Sequence, residues 1–157
     1  MKALVVYDSV FGNTEQVAYA IRDSLGPDVE ALRVGDVKHE QLAGLEYLIV
    51  GSPTRAFNPT KVITNFLKKI PGDSLKGVKV VAFDTRLDTD DVNSSVLNVF
   101  VKFFGYAAKP IAGRLQKKGG TPVVPPEGFY VEDTEGPLKD GELERAATWT
   151  EQLIETQ

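Results

Sequence analysis

Six consecutive residues, Ser9-Val10-Phe11-Gly12-Asn13-Thr14, hold the side chains of this chain best placed to do chemistry. They lie between an unbroken apolar run at 3–7 and a segment at 15–25 with helical periodicity. A strand that turns sharply into a helix leaves the first N–H groups of the helix without acceptors, at the positive end of its macrodipole. Such a helix start binds anions. Gly12 permits a positive φ or a close backbone approach, while Ser9, Asn13 and Thr14 add short polar groups. The segment reads as a phosphate cradle, with plain helix capping by Ser9, Asn13 or Thr14 as the alternative. No lysine lies in the turn, so it is not the Gly-x-x-x-x-Gly-Lys-Ser/Thr loop of nucleoside triphosphate sites. Gly12 is its single glycine, so the Gly-x-Gly-x-x-Gly dinucleotide pattern is absent too. Hydroxyls and amides without a cation or metal suit a phosphate monoester.

The elements that must position this turn follow from composition and periodicity. A length of 157 residues suits one domain, 1–157, with a real core. Eighteen basic and 22 acidic residues give a net charge of −4, which argues against nucleic acid or an anionic membrane surface as partner. The absence of cysteine excludes disulfides, thiolate chemistry and cysteine-ligated clusters. The first residues read as a strand too short for a signal-peptide core. No apolar run approaches the ~20 residues of a membrane span, so a cytoplasmic location is expected.

Strand and helix patterns alternate along the chain. Residues 3–7 suit a strand covered on both faces. Val17, Ile21 and Leu25 recur at helical spacing, and Gly26-Pro27 ends that helix. A second, edge-like strand is expected at 29–34, a short helical turn at 38–42 and a central strand at 47–50. A helix follows at 61–70, with Val62, Phe66 and Ile70 inward, then a fourth strand at 78–83. Residues 84–93 are polar and 96–104 densely apolar. A helix is expected at 106–118, with Pro110 in its first turn, where a missing N–H is harmless. Residues 121–124 and 129–131, broken by Pro125-Pro126, make a fifth strand and its extension. A last helix spans 142–154, with Leu143, Ala146 or Ala147, Trp149 or Thr150, and Leu153 inward.

This alternation predicts an α/β fold: a three-layer, doubly wound, five-stranded parallel sheet of order 2-1-3-4-5. Ligands of such sheets sit at the carboxyl ends of the strands, near strands 1 and 3. Three polar segments meet there, at 8–14, 52–60 and 84–91.

In that context Ser9-Val10-Phe11-Gly12-Asn13-Thr14 resembles the flavodoxin fingerprint Ser/Thr-x-Thr-Gly-Asn-Thr, which holds the phosphate of FMN. Gly51-Ser52-Pro53-Thr54-Arg55 is similar to the Gly-x-Pro-Thr-Arg string of FMN-dependent NAD(P)H:quinone oxidoreductases on the same fold. The resemblance implies a flavodoxin-like domain binding FMN through Ser9, Val10, Phe11, Gly12, Asn13 and Thr14. It further implies Pro53, Thr54, Arg55, Phe57 and Asn58 from the second loop, and Asp84, Thr85, Arg86 and Leu87 from the third. No residue is assigned a catalytic role or a metal. The implied activity is a one-electron carrier between redox partner proteins. An oxidoreductase passing a hydride from NAD(P)H to a quinone-like acceptor is the alternative, and a phosphoryl-receiver domain a remote one.

Departures from the fingerprint bear on the site. Phe11 stands where the family has threonine, which removes a hydroxyl from the cradle. The second loop has no tryptophan, so Phe57 is the candidate to stack on the flavin, with simple loop anchoring as the alternative. The third loop lacks tyrosine, leaving Leu87 or an open face. Arg55 or Arg86 near the flavin would raise its potential, and Asp84, Asp88, Asp90 and Asp91 would lower it; pairing of the arginines with those aspartates is the alternative. His39 is expected to face solvent and Trp149 to pack helix on sheet. The segment 96–104 is expected in the core, or as an apolar insertion at 88–106 that forms a lid or a homodimer contact through 94–106.

Overall fold

The structure, a computed structural model, describes residues 1–88 and 105–155. The apolar segment 96–104, the homodimer contact at 94–106 save its last two residues, and Asp90 and Asp91 lie outside the described residues. The elements run β1 (Ala3–Tyr7), α1 (Asn13–Leu25), β2 (Glu30–Arg33), short 3-10 turns at Val34–Asp36 and His39–Leu42, and β3 (Tyr47–Pro53). They continue with α2 (Lys61–Lys69), β4 (Lys79–Leu87), α3 (Ala108–Lys117), β5 (Thr121–Pro122), β6 (Glu127–Val131) and α4 (Glu142–Glu155). The strands form one parallel sheet of order β2-β1-β3-β4-β5, with β6 pairing β4 beyond β5. This is the expected doubly wound order. Among the described residues no helix is long and apolar enough to cross a membrane.

Period-2 alternation of the buried strands divides the core between two faces. Ala3, Val5, Tyr7, Tyr47, Ile49, Val81 and Phe83 point to one side, where α1 supplies Val17, Ala18 and Ile21, and α4 supplies Ala146, Trp149 and Leu153. Leu4, Val6, Leu48, Val50, Val80 and Ala82 point to the other, against Ile63 and Leu67 of α2 and Ile111 and Leu115 of α3. Trp149 packs edge-on to Phe83 and Phe129, with centroids 6.5 and 5.7 Å away, so its expected packing role holds. Gly51 makes room for that cluster: a Cβ there would lie 2.0 Å from Phe83 Cζ.

Several sequence expectations are corrected. Beside α2, Ile70 is buried as expected, but within the helix the fully inward residues are Ile63 and Leu67, while Phe66 packs half-buried against the core and Val62 is 51% exposed. The Thr60 hydroxyl caps this helix by accepting the Ile63 N–H, and packing of Ile63 and Leu67 against the sheet places the buried face one residue later than the pattern implied. In α4 Leu143 is 37% exposed and Glu142 is buried instead. The Glu142 carboxylate accepts from Tyr130 N–H and from Arg145, which makes its burial affordable. The fourth strand does not end at Phe83. It runs to Leu87, because Phe83 to Leu87 pair in register with Glu127 to Val131 of β6. Asp84, Thr85, Arg86 and Leu87 are therefore strand residues and not a loop.

The fifth strand is split as expected, but its first half is shorter than expected, Thr121–Pro122, and its second longer, Glu127–Val131. Val80 faces Pro122 and Phe83 faces Glu127, so four residues, 123–126, stand opposite two of β4. Pro125 and Pro126 offer no N–H to a ladder. The outer side of β6 is occupied by the chain itself: Lys139 N–H donates to Tyr130 O, and Glu132 N–H to Pro137 O.

Candidate functional site

The carboxyl ends of β1, β3, β4 and β6 enclose a pocket of about 300 Å³. Its first wall is the turn at 9–14. Asp8 N–H donates to Gly51 O and Ser9 N–H to Asp8 Oδ1, fixing the exit from β1. Ser9 Oγ then accepts the N–H groups of Gly12 (3.1 Å) and Glu15 (3.3 Å). Gly12 has φ 95°, which lets the chain enter α1 without Cβ strain. The backbone N–H groups of Val10, Phe11, Asn13 and Thr14 donate to no group among the described residues. Four open donors at the head of a 13-residue helix are an arrangement able to receive an anion.

The side chains of the turn are used differently from the sequence reading. Thr14 Oγ1 lies buried, 2.7 Å from Thr85 Oγ1, and so ties α1 to β4. Asn13 Nδ2 donates to Glu135 O and its amide packs against Gly136, tying the turn to the loop after β6. Ser9 caps as an acceptor, leaving its hydroxyl hydrogen to donate. The cradle is thus mainly backbone. Phe11, 45% exposed, and Val10, 51% exposed, form an apolar rim.

Negative charge beside the cradle is partly offset from β2, where Arg33 is shared between Glu15 and Asp8, 3.6 Å from Asp8 Oδ1. Glu15 Oε2 accepts from Tyr7 OH (2.6 Å) and from Arg33 Nη2 (3.1 Å), and Arg33 Nη1 donates to Ser9 O (2.8 Å). Burial, and then donation to Glu15, push the Tyr7 phenol far above its ordinary value, so it stays a donor.

The second wall follows β3. Pro53, Thr54, Arg55, Ala56 and Phe57 line the pocket. Arg55 and Asn58 exchange both backbone hydrogen bonds (2.8 and 3.0 Å), closing a two-residue turn. Ala56 and Phe57 within it have φ 49° and 70°, left-handed values that non-glycine residues adopt at a cost. The exposed Arg55 guanidinium lies over the Phe11 ring at 5.8 Å. Asn58 bonds to Ala56 O and does not line the pocket.

The third wall is the end of β4. Thr85, Arg86 and Leu87 line the pocket, but Asp84, fully buried, lies behind them. Its carboxylate takes both Arg86 Nε and Nη2 at 2.7 Å and the Ala108 N–H at 2.9 Å. Burial pushes the Asp84 carboxyl above its ordinary value, against the pull of Arg86 and the Ala108 N–H. Gly128 allows this arrangement, since a Cβ there would lie 2.0 Å from Arg86 Nε. The other face of the guanidinium carries the Tyr106 ring, 3.7 Å to its centroid. Asp88 pairs with Lys139, and His39 is exposed, as expected.

Apart from Gly12, Asn58 and Asp84, every candidate side chain named from the sequence borders this one pocket. The sequence reading missed Ala56, Tyr106, Val131 and Thr134. Val131 ends β6, so the rule that ligands sit at carboxyl strand ends pointed to it. Tyr106 sits just before α3, at the same end of the sheet, and supplies an aromatic ring that 84–88 lacks.

Residues 4–119 match a family model described as Flavodoxin domain. The chain is 28% identical over 86 residues to "Probable flavodoxin 1" of Bacillus subtilis (strain 168), covering 52% of this chain and 54% of that protein. The match thus spans about half the length of that curated relative. In fold, the chain is similar to oxidised Flavodoxin 2 from Bacillus cereus (TM-score 0.77, 20% identity, all of both chains). It is also similar to oxidised Flavodoxin 1 from Bacillus cereus (TM-score 0.75, 16% identity, 99% of this chain and 98% of that one). With most of its length, from β1 to the end of α3, matched by the family model, this chain belongs to the flavodoxin family, whose cofactor is FMN.

Proposed function

We propose that this chain binds FMN at the head of α1 and carries electrons between redox partner proteins. The observation that carries the reading is the set of open N–H donors of Val10, Phe11, Asn13 and Thr14, bordering a pocket closed by β3, β4 and β6. Those donors and the Ser9 hydroxyl would hold the phosphate, with the macrodipole of α1 favouring its charge. Phe57, Leu87 and Tyr106 supply apolar wall for the ring system, while Thr54 and Thr85 supply hydroxyls. FMN, when bound, supplies reversible one- and two-electron chemistry, and the protein tunes it by binding, orientation and charge. Arg86 is spoken for by Asp84, so this pair presents little net charge to the pocket. Arg55 is the wall residue whose positive charge meets no carboxylate among the described residues.

That unmatched Arg55 at the pocket mouth also supports the second reading, an oxidoreductase drawing on NAD(P)H, because an exposed guanidinium suits nucleotide phosphates. Titration of the apoprotein with FMN tests the first claim: visible flavin absorbance should shift and saturate at one equivalent. A protein that leaves free FMN unperturbed refutes it. Reductive titration of the loaded protein then separates the readings. Two resolved one-electron steps support the carrier; rapid reduction by NADPH with quinone turnover, lost in Arg55→Ala, supports the enzyme.

A further inference from the structure

The charge of this chain is unevenly placed. Residues 61–79 and 109–118 hold nine of its 18 cations and one of its 22 carboxylates, a local +8 in a chain of net −4. Both segments lie on one face of the sheet, with α2 packed beside α3. Five of the lysines gather where these helices end. Lys118 Nζ donates to Lys68 O at 3.2 Å, and Leu75 N–H donates to Lys118 O beside Lys76. Lys69 and Lys117 adjoin them in sequence, and both are exposed along with Lys68 and Lys76. The one carboxylate is Asp73, 4.0 Å from Lys76, with both side chains about three-quarters exposed. A pair in that setting neutralises little. Two helix C-termini offer roughly −0.5 each, about −1 in all against five lysines. The cluster therefore carries unrelieved repulsion.

The cluster lies at the amino ends of β4 and β5, the end of the sheet opposite the pocket. At physiological salt the Debye length is about 8 Å, so acidic surfaces farther away do not mask it. Apolar surface accompanies it. Val62 is half exposed on α2, and beyond α3 an open groove runs between Ala112, Gly113 and residues 122–126.

We propose that the α2–α3 face is a docking surface for an acidic protein partner, engaged from the side away from the pocket. Charge complementarity selects the partner, and the apolar groove beyond α3 on the same face selects a protein. Single-stranded nucleic acid favours exposed aromatic side chains, and Phe66 of α2 is half-buried. A lipid surface would draw on a broad apolar face, and α2 exposes Val62 alone among its large apolar residues. A partner held here leaves the pocket open, so docking and electron exchange can occur at once.

The test is fluorescence anisotropy with labelled poly-L-glutamate at low salt, using the full chain with and without FMN. The expected result is saturable binding that weakens with added NaCl and is indifferent to FMN. The Lys68→Glu/Lys69→Glu/Lys117→Glu variant should bind at least tenfold more weakly, and the Arg22→Glu control, on α1 across the sheet, should not change. Lys68→Gln/Lys69→Gln/Lys117→Gln serves if the reversed variant melts early, with a smaller loss expected. Undiminished binding by both triple variants, or no binding by the wild type, overturns the proposal. So does tighter binding of duplex DNA or phosphatidylglycerol vesicles than of the polypeptide. FMN titration reads the pocket independently, so failure of one claim leaves the other standing.

Discussion

Replacing Ala56 by glycine should stabilise this protein, although the same exchange in a helix should destabilise it. Ala56 has φ 49° in the turn closed by the paired backbone bonds of Arg55 and Asn58. A non-glycine residue in the left-handed region costs about 1–2 kcal/mol. Glycine removes that cost but adds freedom to the unfolded chain worth roughly 0.4–1 kcal/mol. The difference is a net gain of about 0.5–1 kcal/mol. For a domain of this size that is a rise in Tm of about 1–4 °C. Ala147 lies within α4, and there glycine should cost about 1 kcal/mol. Urea unfolding of both variants without FMN, compared at equal m-value, measures the two signs. A destabilised Ala56→Gly, matching Ala147→Gly, would refute the left-handed turn and the strain assigned to it.

Gly51→Ala should lose about 1–3 kcal/mol by the same measurement, because the new methyl lies within the Phe83 ring position, and Phe83→Leu should recover part of the loss. Arg86→Leu leaves the Asp84 carboxylate buried and unpaired, so a loss of about 3–5 kcal/mol is expected at neutral pH. Asp84 already titrates above its ordinary value, and losing Arg86 raises it further. Its cost is therefore absent below the unfolded pKa and grows as pH rises through the folded one, so the deficit of the variant should shrink on acidification. Glu142 has the opposite sign. Burial alone would raise it, but hydrogen bonds from Arg145 and Tyr130 N–H outweigh this and lower it. Its contribution is present above the unfolded value and lost as pH falls through the folded one; Glu142→Gln should therefore differ from wild type at pH 7 by about 1.5–3 kcal/mol and converge with it in acid.

The parts of the fold visible in the sequence are those fixed by neighbours in the chain. The cradle was legible because strand, Gly12 and helix start are contiguous, and the sheet order followed from the alternation of elements. What was misread depends on distant partners. Asp84 to Leu87 look like a polar loop until β6 pairs with them and Arg86 closes on Asp84. The buried face of α2 is chosen by the packing of Ile63 and Leu67 against the sheet and α3, which leaves Val62 outside. Glu142 is buried only because Arg145 and the Tyr130 N–H meet it. Tyr106 was missed because its place on the pocket wall is set by Arg86, twenty residues earlier.

The split of the fifth strand bears on how concentrated solutions of this protein behave. A parallel sheet that ends in open backbone invites another copy to add a strand, and aggregation begins there. Here β5 keeps two residues, one of them Pro122, and Pro125-Pro126 follow without donors. Where β6 restores a longer edge, residues 137–139 already occupy it. At the opposite border β2 is only four residues long, with Glu30 and Arg33 at its ends. Edge-to-edge stacking thus has little free backbone to grip on either border, and a deletion of 137–139 should be the change that first makes the protein self-associate.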